Sequence, residues 1–118
     1  VPAINPDLSI IHAQAADRHG NVLIQGILGA QKEIALAGRK LLVTVESLVD
    51  ELDTRLNSVV LPGWVVSAIV HAPRGAYPSY AQGCYPRDNG FYTAWDAIAR
   101  SREHFVQWMQ RNVLEAAT

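Results

Sequence analysis

One apolar segment, residues 41–45, constrains the fold more than any other part of the sequence. It reads LLVTV and is hydrophobic on both faces, which is typical of a strand in a parallel sheet covered by helices on both sides. Before it, residues 30–37 contain good helix formers and end at Gly38, a predicted helix C-cap. A short apolar run at residues 22–25 precedes that helix and predicts another strand. Strand, helix and strand in succession predict an α/β fold with a mostly parallel sheet and flanking helices.

The other predicted elements follow from the lengths of apolar runs and the positions of turn residues. Three further runs are predicted to be strands, at residues 8–13, 57–61 and 65–71. A turn is expected at 16–21, and a short helix or a loop at the acidic stretch 46–55. Residues 91–118 lack Gly and Pro and place apolar side chains every three or four positions. They therefore predict a long C-terminal helical region, as one helix or two consecutive helices.

Length and composition narrow the class of protein. The 118 residues are expected to form a single domain. Lys and Arg number 10 and Asp and Glu 11, a net charge of -1, which argues against nucleic acid or an anionic membrane as a partner. The one cysteine, Cys84, precludes an intramolecular disulfide and favours a reducing compartment such as the cytoplasm. No run approaches the ~18 apolar residues that a membrane span requires.

The titratable side chains form no strong motif. The four histidines lie at positions 12, 19, 71 and 104, without the close spacing of zinc ligands, so no metal site is predicted. Cys84 has Arg87 nearby and is a candidate nucleophile, although a passive thiol is the favoured interpretation. Glu46 follows the strand at 41–45, where a buried carboxylate is able to act as nucleophile or base. A solvated acidic helix N-terminus is favoured there instead.

Residues 72–89 are predicted to form a long structured loop, because they contain repeated Gly and Pro with three tyrosines between them. Long loops in compact domains are often functional. Ser79 in this loop is a candidate for binding or reaction, although no G-x-S-x-G string surrounds it. Earlier in the chain, Gly26 and Gly29 form part of a phosphate-binding glycine pattern, but a turn between strand and helix is favoured.

Several short strings occur in a fixed order along the chain. They are HAQ at 12–14, ADRHGNV at 16–22 followed by Gly26 and Gly29, VTVESLV at 43–49, LPGWVV at 61–66 and PRGAYPS at 73–79. In this order they resemble the second half of the A subunit of family I coenzyme A transferases, in particular the glutaconate CoA-transferase type. Each string alone is weak, but their shared order extends over most of the chain. The resemblance implies part of the CoA-transferase fold.

The resemblance also implies a defined chemistry. Enzymes of this family move CoA between carboxylic acids: a glutamate attacks the acyl-CoA carbonyl, and a glutamyl-CoA thioester forms after an anhydride step. In glutaconate-type enzymes this glutamate belongs to the partner B subunit, so no catalytic residue is expected here and Glu46 is not given that role. Acyl-CoA and CoA are the implied substrates, with no bound cofactor and no metal. The implied substrate-binding or CoA-binding residues are Gly26, Gly29, Gly75, Tyr77 and Ser79.

An A subunit of this family is longer than this chain, and residues 1–7 resemble its mid-chain link. The resemblance therefore implies that the chain is inactive alone and is the C-terminal half of such a subunit. Its implied partners are the missing N-terminal half and the B subunit. Two alternatives stay open: a component of a related ring-opening CoA-thioester hydrolase, and a stand-alone binding domain without enzymatic activity. Pro78 and Ser79 favour the transferase over the hydrolase.

Overall fold

The structure is a computed structural model that describes residues 2–115. The chain divides between Pro86 and Arg87 into two compact units, each considered by itself. None of the helices in the described residues has the length and hydropathy that crossing a bilayer requires.

The first unit is built on a five-stranded sheet. Its strands are β1 Leu8–Asp17, β2 Val22–Gln25, β3 Lys40–Val49, β4 Ser58–Leu61 and β5 Ala68–His71, and one helix, α1, spans Gln31–Ala37. The strand order is β4-β2-β1-β3-β5. Strands β1, β3 and β5 pair in parallel, whereas β2 is antiparallel to both of its neighbours. Four strands thus run in one direction, which confirms the predicted α/β fold with a mostly parallel sheet.

The pairing of β1 with β3 decides which side chains share a face. Ile11 is the register partner of Val43, and His12 is the partner of Thr44. Because side chains alternate along a strand, Ile11 and Val43 point to one face and His12 and Thr44 to the other. Ile11 and Val43 are buried in the core, whereas His12 and Thr44 are partly exposed. The two central strands therefore present an apolar face to the core and a polar face opposite it.

Strand β1 is longer than predicted, and this moves the following turn. It continues through Asp17, so the turn residues are Arg18–Asn21 rather than the whole of 16–21. The Asp17 carboxylate accepts hydrogen bonds from His19 N at 2.8 Å and Asn21 N at 2.9 Å, and Gly20 has φ +80°. An aspartate that bonds to the backbone beyond it, followed by a left-handed glycine, is a turn signal that the sequence carries.

Strand β3 also extends further than predicted. Residues 46–49 belong to it, so the prediction of a short helix or loop at 46–55 was wrong for these four residues, whereas residues 50–55 form a loop as predicted. The last pairs join Ala15 to Ser47, Ala16 to Leu48 and Asp17 to Val49. The long partner strand extends the pairing past the end of the apolar run, an effect that local composition does not reveal.

The remaining predictions for the first unit hold with small shifts. Helix α1 ends at the predicted C-cap Gly38, where a Cβ atom would collide with Ser9 Oγ. The predicted strand at 65–71 is shorter, because Gly63–Val65 form a 3-10 turn and pairing with β3 begins at Ala68.

The second unit contains two helices, α2 Asn89–Ala99 and α3 Arg102–Met109, followed by a π-helical turn at Gln110–Leu114. Of the two predicted forms of the C-terminal region, it takes that of two consecutive helices. Ser101 caps α3, because its hydroxyl accepts a hydrogen bond from His104 N at 3.4 Å. Trp95 and Trp108 join the helices with ring centroids 5.0 Å apart in an edge-to-face contact. The predicted helical residues 116–118 lie outside the described part of the chain.

Candidate functional site

A cluster of polar side chains centres on Glu46, on the polar face of the sheet. The Glu46 carboxylate contacts three donors: His12 Nε2 at 2.6 Å, the Tyr85 hydroxyl at 2.7 Å and the backbone N–H of Arg74 at 2.7 Å. The first two bonds end on Oε1 and the third on Oε2. The Glu46 side chain is only 9% exposed. We call Glu46, His12, Tyr85 and the Arg74 N–H the Glu46 hub.

Two strands and one loop contribute the parts of the hub. Strand β3 carries Glu46, and strand β1 carries His12 beside it. His12 Nδ1 lies 2.8 Å from Thr44 Oγ1, its register partner on β3. In the neutral tautomer with its proton on Nε2, His12 donates to Glu46 and accepts from Thr44. The register of β1 against β3 therefore helps to orient the imidazole.

The loop after β5 supplies the two remaining donors of the hub, the Arg74 N–H and the Tyr85 hydroxyl. Arg74 has φ +63°, a left-handed conformation that costs a non-glycine residue about 1 kcal/mol. Its N–H bond to the Glu46 carboxylate offsets that cost, because hydrogen bonds to a charged group are strong. Gly75 follows directly, and a Cβ at this position would lie 2.7 Å from His12 Cε1. The loop thus reaches the imidazole closely only because residue 75 has no side chain.

The electrostatics of the hub keep Glu46 ionised. Burial by itself raises the pKa of a carboxyl group, but the hydrogen bonds from Arg74, Tyr85 and His12 outweigh it and lower the pKa of Glu46 below its ordinary value. Burial, together with the bond to Glu46, raises the pKa of the Tyr85 hydroxyl, which therefore keeps its proton as a donor. A carboxylate with three short hydrogen bonds is suited to anchoring neighbouring groups. Glu46 lies in strand β3 and is nearly buried, so the prediction of a solvated acid at a helix N-terminus was wrong.

A cavity of about 360 Å³ adjoins the hub, and His12 lines both. Its apolar wall comes from Ile10, Ile27 and Ile34. Its polar wall consists of the side-chain amides and hydroxyls of Gln14, Gln25, Gln31, Gln82, Ser79 and Tyr80. No Arg, Lys, Asp or Glu of residues 2–115 belongs to this lining. The cavity therefore offers neutral hydrogen-bonding groups on one side and aliphatic contacts on the other, the usual character of a small-molecule site.

The structure separates the five predicted binding residues. Ser79 lines the cavity, and Gly75 packs against His12 in the hub. Tyr77 lies beneath the Arg74 guanidinium, 4.8 Å from ring centroid to Cζ, and is 40% exposed. Their role in binding stays a prediction.

The two predicted glycines before α1 lie elsewhere. Gly26 has φ +89° and lines a separate groove with Ile27, Leu28 and Gln82. A Cβ on Gly26 would lie 2.9 Å from the Gln82 side chain, so this glycine allows a close approach of the later loop. Gly29 has φ +53°, and nothing lies within 4 Å of the position of its missing Cβ. The positive φ values support the interpretation of a turn between strand and helix at these glycines.

The sequence pattern singled out Glu46 but did not connect it with His12 or Tyr85. These two lie 34 and 39 residues from Glu46 in sequence, so no local pattern joins them. One signal was available: His12 lies in one predicted strand and Glu46 directly follows another, and parallel pairing of these strands brings such residues close together.

The cysteine and the histidines contribute no reactive or metal site in the described residues. Partial desolvation of the Cys84 thiol and the Glu46 charge raise its pKa, which disfavours the thiolate. The Arg87 guanidinium lies 4.1 Å from the ring centroid of Tyr92. Between residues 2 and 115, no three His, Cys, Asp or Glu side chains are grouped closely enough to hold a metal ion.

Comparison with known proteins identifies the family. The sequence matches the coenzyme A transferase family over residues 1–72, and the chain belongs to that family. It is 57% identical, over 96% of its length, to the A subunit of 3-oxoadipate CoA-transferase from Pseudomonas knackmussii, of which it spans 40%. This confirms the resemblance to the A subunit of coenzyme A transferases that the ordered strings indicated.

Two further relatives show how far the similarity extends. The crystal structure of glutaconate coenzyme A-transferase from Acidaminococcus fermentans superimposes with a TM-score of 0.86 and 34% identity, covering 98% of this chain and 37% of the other. The cholesterol ring-cleaving hydrolase IpdA subunit of Rhodococcus jostii is 27% identical over 92% of this chain and 38% of its own length. The chain thus spans about two fifths of the relatives that it matches.

Replacing Gly75 with alanine tests the packing of the loop on His12. Gly75→Ala is expected to lower the free energy of unfolding by about 1–3 kcal/mol, because the new Cβ needs space held by the imidazole and the Ala72 carbonyl. Gly29→Ala is the control, whose Cβ meets nothing and which costs only the left-handed backbone, about 1 kcal/mol. Urea unfolding midpoints measure both, and an unchanged midpoint for Gly75→Ala would contradict the packing.

The lowered pKa of Glu46 predicts a pH dependence of stability. Since the folded-state pKa lies below the ordinary value of about 4.5, the contribution of Glu46 is complete above that pH and is lost as the pH falls through the folded pKa. Unfolding midpoints between pH 6 and pH 3 are expected to fall less steeply for Glu46→Gln than for the unchanged protein. The pKa of Asp17 is also lowered, chiefly by Asn21, so Asp17→Asn measures the part of the slope that Glu46 does not cause. Parallel curves for Glu46→Gln and the unchanged protein would rule out the assignment.

Proposed function

We propose that this chain is part of the A subunit of a CoA-transferase that moves CoA between an acyl-CoA and a short dicarboxylic acid through a glutamyl-CoA thioester. The observation that carries the proposal is the 57% identity, along nearly the whole chain, with the A subunit of a 3-oxoadipate CoA-transferase. The similarity to glutaconate CoA-transferase supports the same substrate class, since both names specify a dicarboxylic acid.

The state of Glu46 supports placing the nucleophile on another chain. A nucleophilic carboxylate has to approach the acyl carbonyl, but Glu46 is nearly buried and accepts three short hydrogen bonds. Glutaconate-type enzymes, which this chain resembles, carry the attacking glutamate on the B subunit, and we assign it there for this protein as well. Acyl-CoA and CoA are then substrates of the assembled enzyme.

The cavity beside the hub is the proposed site for the acid. Amide and hydroxyl groups such as those of Gln82 and Ser79 are able to donate to a carboxylate, while the isoleucines contact the methylene groups. An uncharged lining accepts an acid without the strong fixed charge that slows its release. Of the predicted binding residues, Ser79 is the one whose position supports this role directly.

The partners and compartment follow from the same proposal. We assign the chain to the second half of the A subunit, where it acts as one domain. Its partners are then the rest of that polypeptide and a B subunit. A cytoplasmic location fits substrates made and used inside the cell and the unpaired Cys84.

A CoA-thioester hydrolase is the second candidate, supported by the 27% identity with the IpdA subunit. The two reactions differ in the acceptor, which is an acid for the transferase and water for the hydrolase. The higher identity with the 3-oxoadipate CoA-transferase favours transfer.

Thioester exchange tests the proposed function. The complete subunit that contains these residues, purified with its B partner, is expected to convert 3-oxoadipate or glutaconate to its CoA thioester when given a short acyl-CoA. Mass spectrometry of the acyl-CoA pool detects the product, and intact-mass analysis is expected to find covalent CoA on the B subunit only. Release of free acid without exchange would identify a hydrolase. No turnover of any thioester would instead favour the stand-alone binding domain.

Enlarging Ser79 tests its place in the cavity. Ser79→Phe inserts a ring into the proposed acid site, and overpacking of about 1–3 kcal/mol raises the KM for the acid about tenfold or more. Ser79→Ala keeps the volume free and serves as the matched control, with a much smaller effect. Steady-state kinetics of the complete enzyme provide both values, and unchanged kinetics for Ser79→Phe would remove Ser79 from the site.

A further inference from the structure

The loop between residues 73 and 86 belongs to both the Glu46 hub and the cavity. Its two ends bind the same carboxylate, through Arg74 N on Oε2 and the Tyr85 hydroxyl on Oε1. Between these ends the loop supplies one wall of the cavity, from Ala76 and residues 79–82. A single side chain on β3 thus ties both ends of a segment that shapes the cavity.

The Tyr85 hydroxyl links the two ends of the loop to each other. It donates to Glu46 Oε1 and accepts the backbone N–H of Ala76 at 3.0 Å. Ala76 itself lines the cavity, and so does His12, which binds the same Glu46 oxygen. A path of hydrogen bonds therefore runs from the Glu46 carboxylate to the cavity wall.

The opposite end of the wall has a weaker attachment. Gln14 Nε2 donates to the Gln82 carbonyl at 3.4 Å, a long neutral bond. The two bonds from the loop to Glu46 are both 2.7 Å and involve a charged acceptor, so they are the stronger attachment of this loop to the sheet.

We propose that Glu46 is a positioning residue, whose carboxylate holds residues 74–85 against strands β1 and β3 and thereby fixes the loop wall of the cavity. The effect on substrate rests on the proposed function, whereas the effect on the loop does not. Only a carboxylate satisfies all three donors. A glutamine would direct N–H groups at one of them, and an aspartate would place the oxygens further away.

The groups that face Glu46 are consistent with this role. His12 lies on β1, and His71 on β5 contacts the Glu46 carbonyl at 3.2 Å. The Arg74 guanidinium lies over the rings of Tyr77 and Tyr85 rather than on the carboxylate. The Glu46 carboxylate therefore binds the loop at the backbone N–H of Arg74 and at the Tyr85 hydroxyl. These two bonds restrain the path of the loop.

Limited proteolysis of the complete subunit with its partner tests the inference, because Arg74–Gly75 is a tryptic bond inside the loop. Glu46→Gln is expected to speed cleavage at this bond at least about tenfold, since two hydrogen bonds to a charged group are weakened together. Tyr85→Phe removes one hydroxyl and is expected to give a smaller increase in the rate of cleavage at the same bond. Cleavage at Arg55–Leu56, an exposed site outside the loop, is the internal reference and is expected to stay constant.

Glu51→Gln is the matched control, because it makes the same chemical change on an exposed residue. It is expected to leave both cleavage rates unchanged. In the transfer assay, Glu46→Gln and Tyr85→Phe are expected to raise the KM for the acid more than they lower kcat, and Glu46→Asp to recover part of the loss.

Three results would overturn the inference. The first is an unchanged rate of cleavage at Arg74–Gly75 in both variants. The second is an equal increase in the rate at Arg55–Leu56, which indicates general unfolding. The third is faster cleavage at Arg74–Gly75 with an unchanged KM for the acid. If the unchanged enzyme transfers no CoA, the proposed function fails, and the cleavage rates alone decide whether Glu46 holds the loop.

Discussion

The parallel pairing of β1 and β3 is the interaction on which the rest of the structure depends. It extends from the Leu8–Lys40 pair to the Asp17–Val49 pair and sets both faces of the sheet at once. On one face it buries Ile11 against Val43, and on the other it places His12 beside Thr44 and within reach of Glu46. A shift of the register by one residue would exchange the two faces, exposing the core and burying the hub.

The Glu46 hub connects the two central strands to the loop that lines the cavity. An ionised Glu46 on the polar face attracts the donors of a loop that has little regular structure of its own. A glycine at residue 75 permits the close approach to His12, and a left-handed Arg74 directs its N–H at the carboxylate. The cost of burying a charge is offset here because strand β1 holds one donor, His12, and the loop after β5 holds the other two.

The chain belongs to the coenzyme A transferase family, and its candidate site contains a binding cavity rather than a nucleophile that is free to attack. The described residues provide a neutral cavity and a positioning carboxylate, whereas the proposed reaction needs a nucleophile that is free to attack. Under the proposed function these tasks are divided between two chains, which agrees with the weak sequence motifs for catalysis in this one. The chain spans 40% of the 3-oxoadipate CoA-transferase subunit and 37% of the glutaconate CoA-transferase chain to which it is similar.

The sequence by itself determined the approximate positions of the five strands, the helix before β3, the turn at Gly20 and the family, because these depend on local composition and on strings of adjacent residues. It indicated Ser79 and Glu46 as candidates but not what they contact. Only the tertiary structure extended β3 through Val49 and brought His12, Glu46 and Tyr85 together. The physical reason is that strand register and loop closure act between residues more than thirty positions apart, where local propensity has no influence.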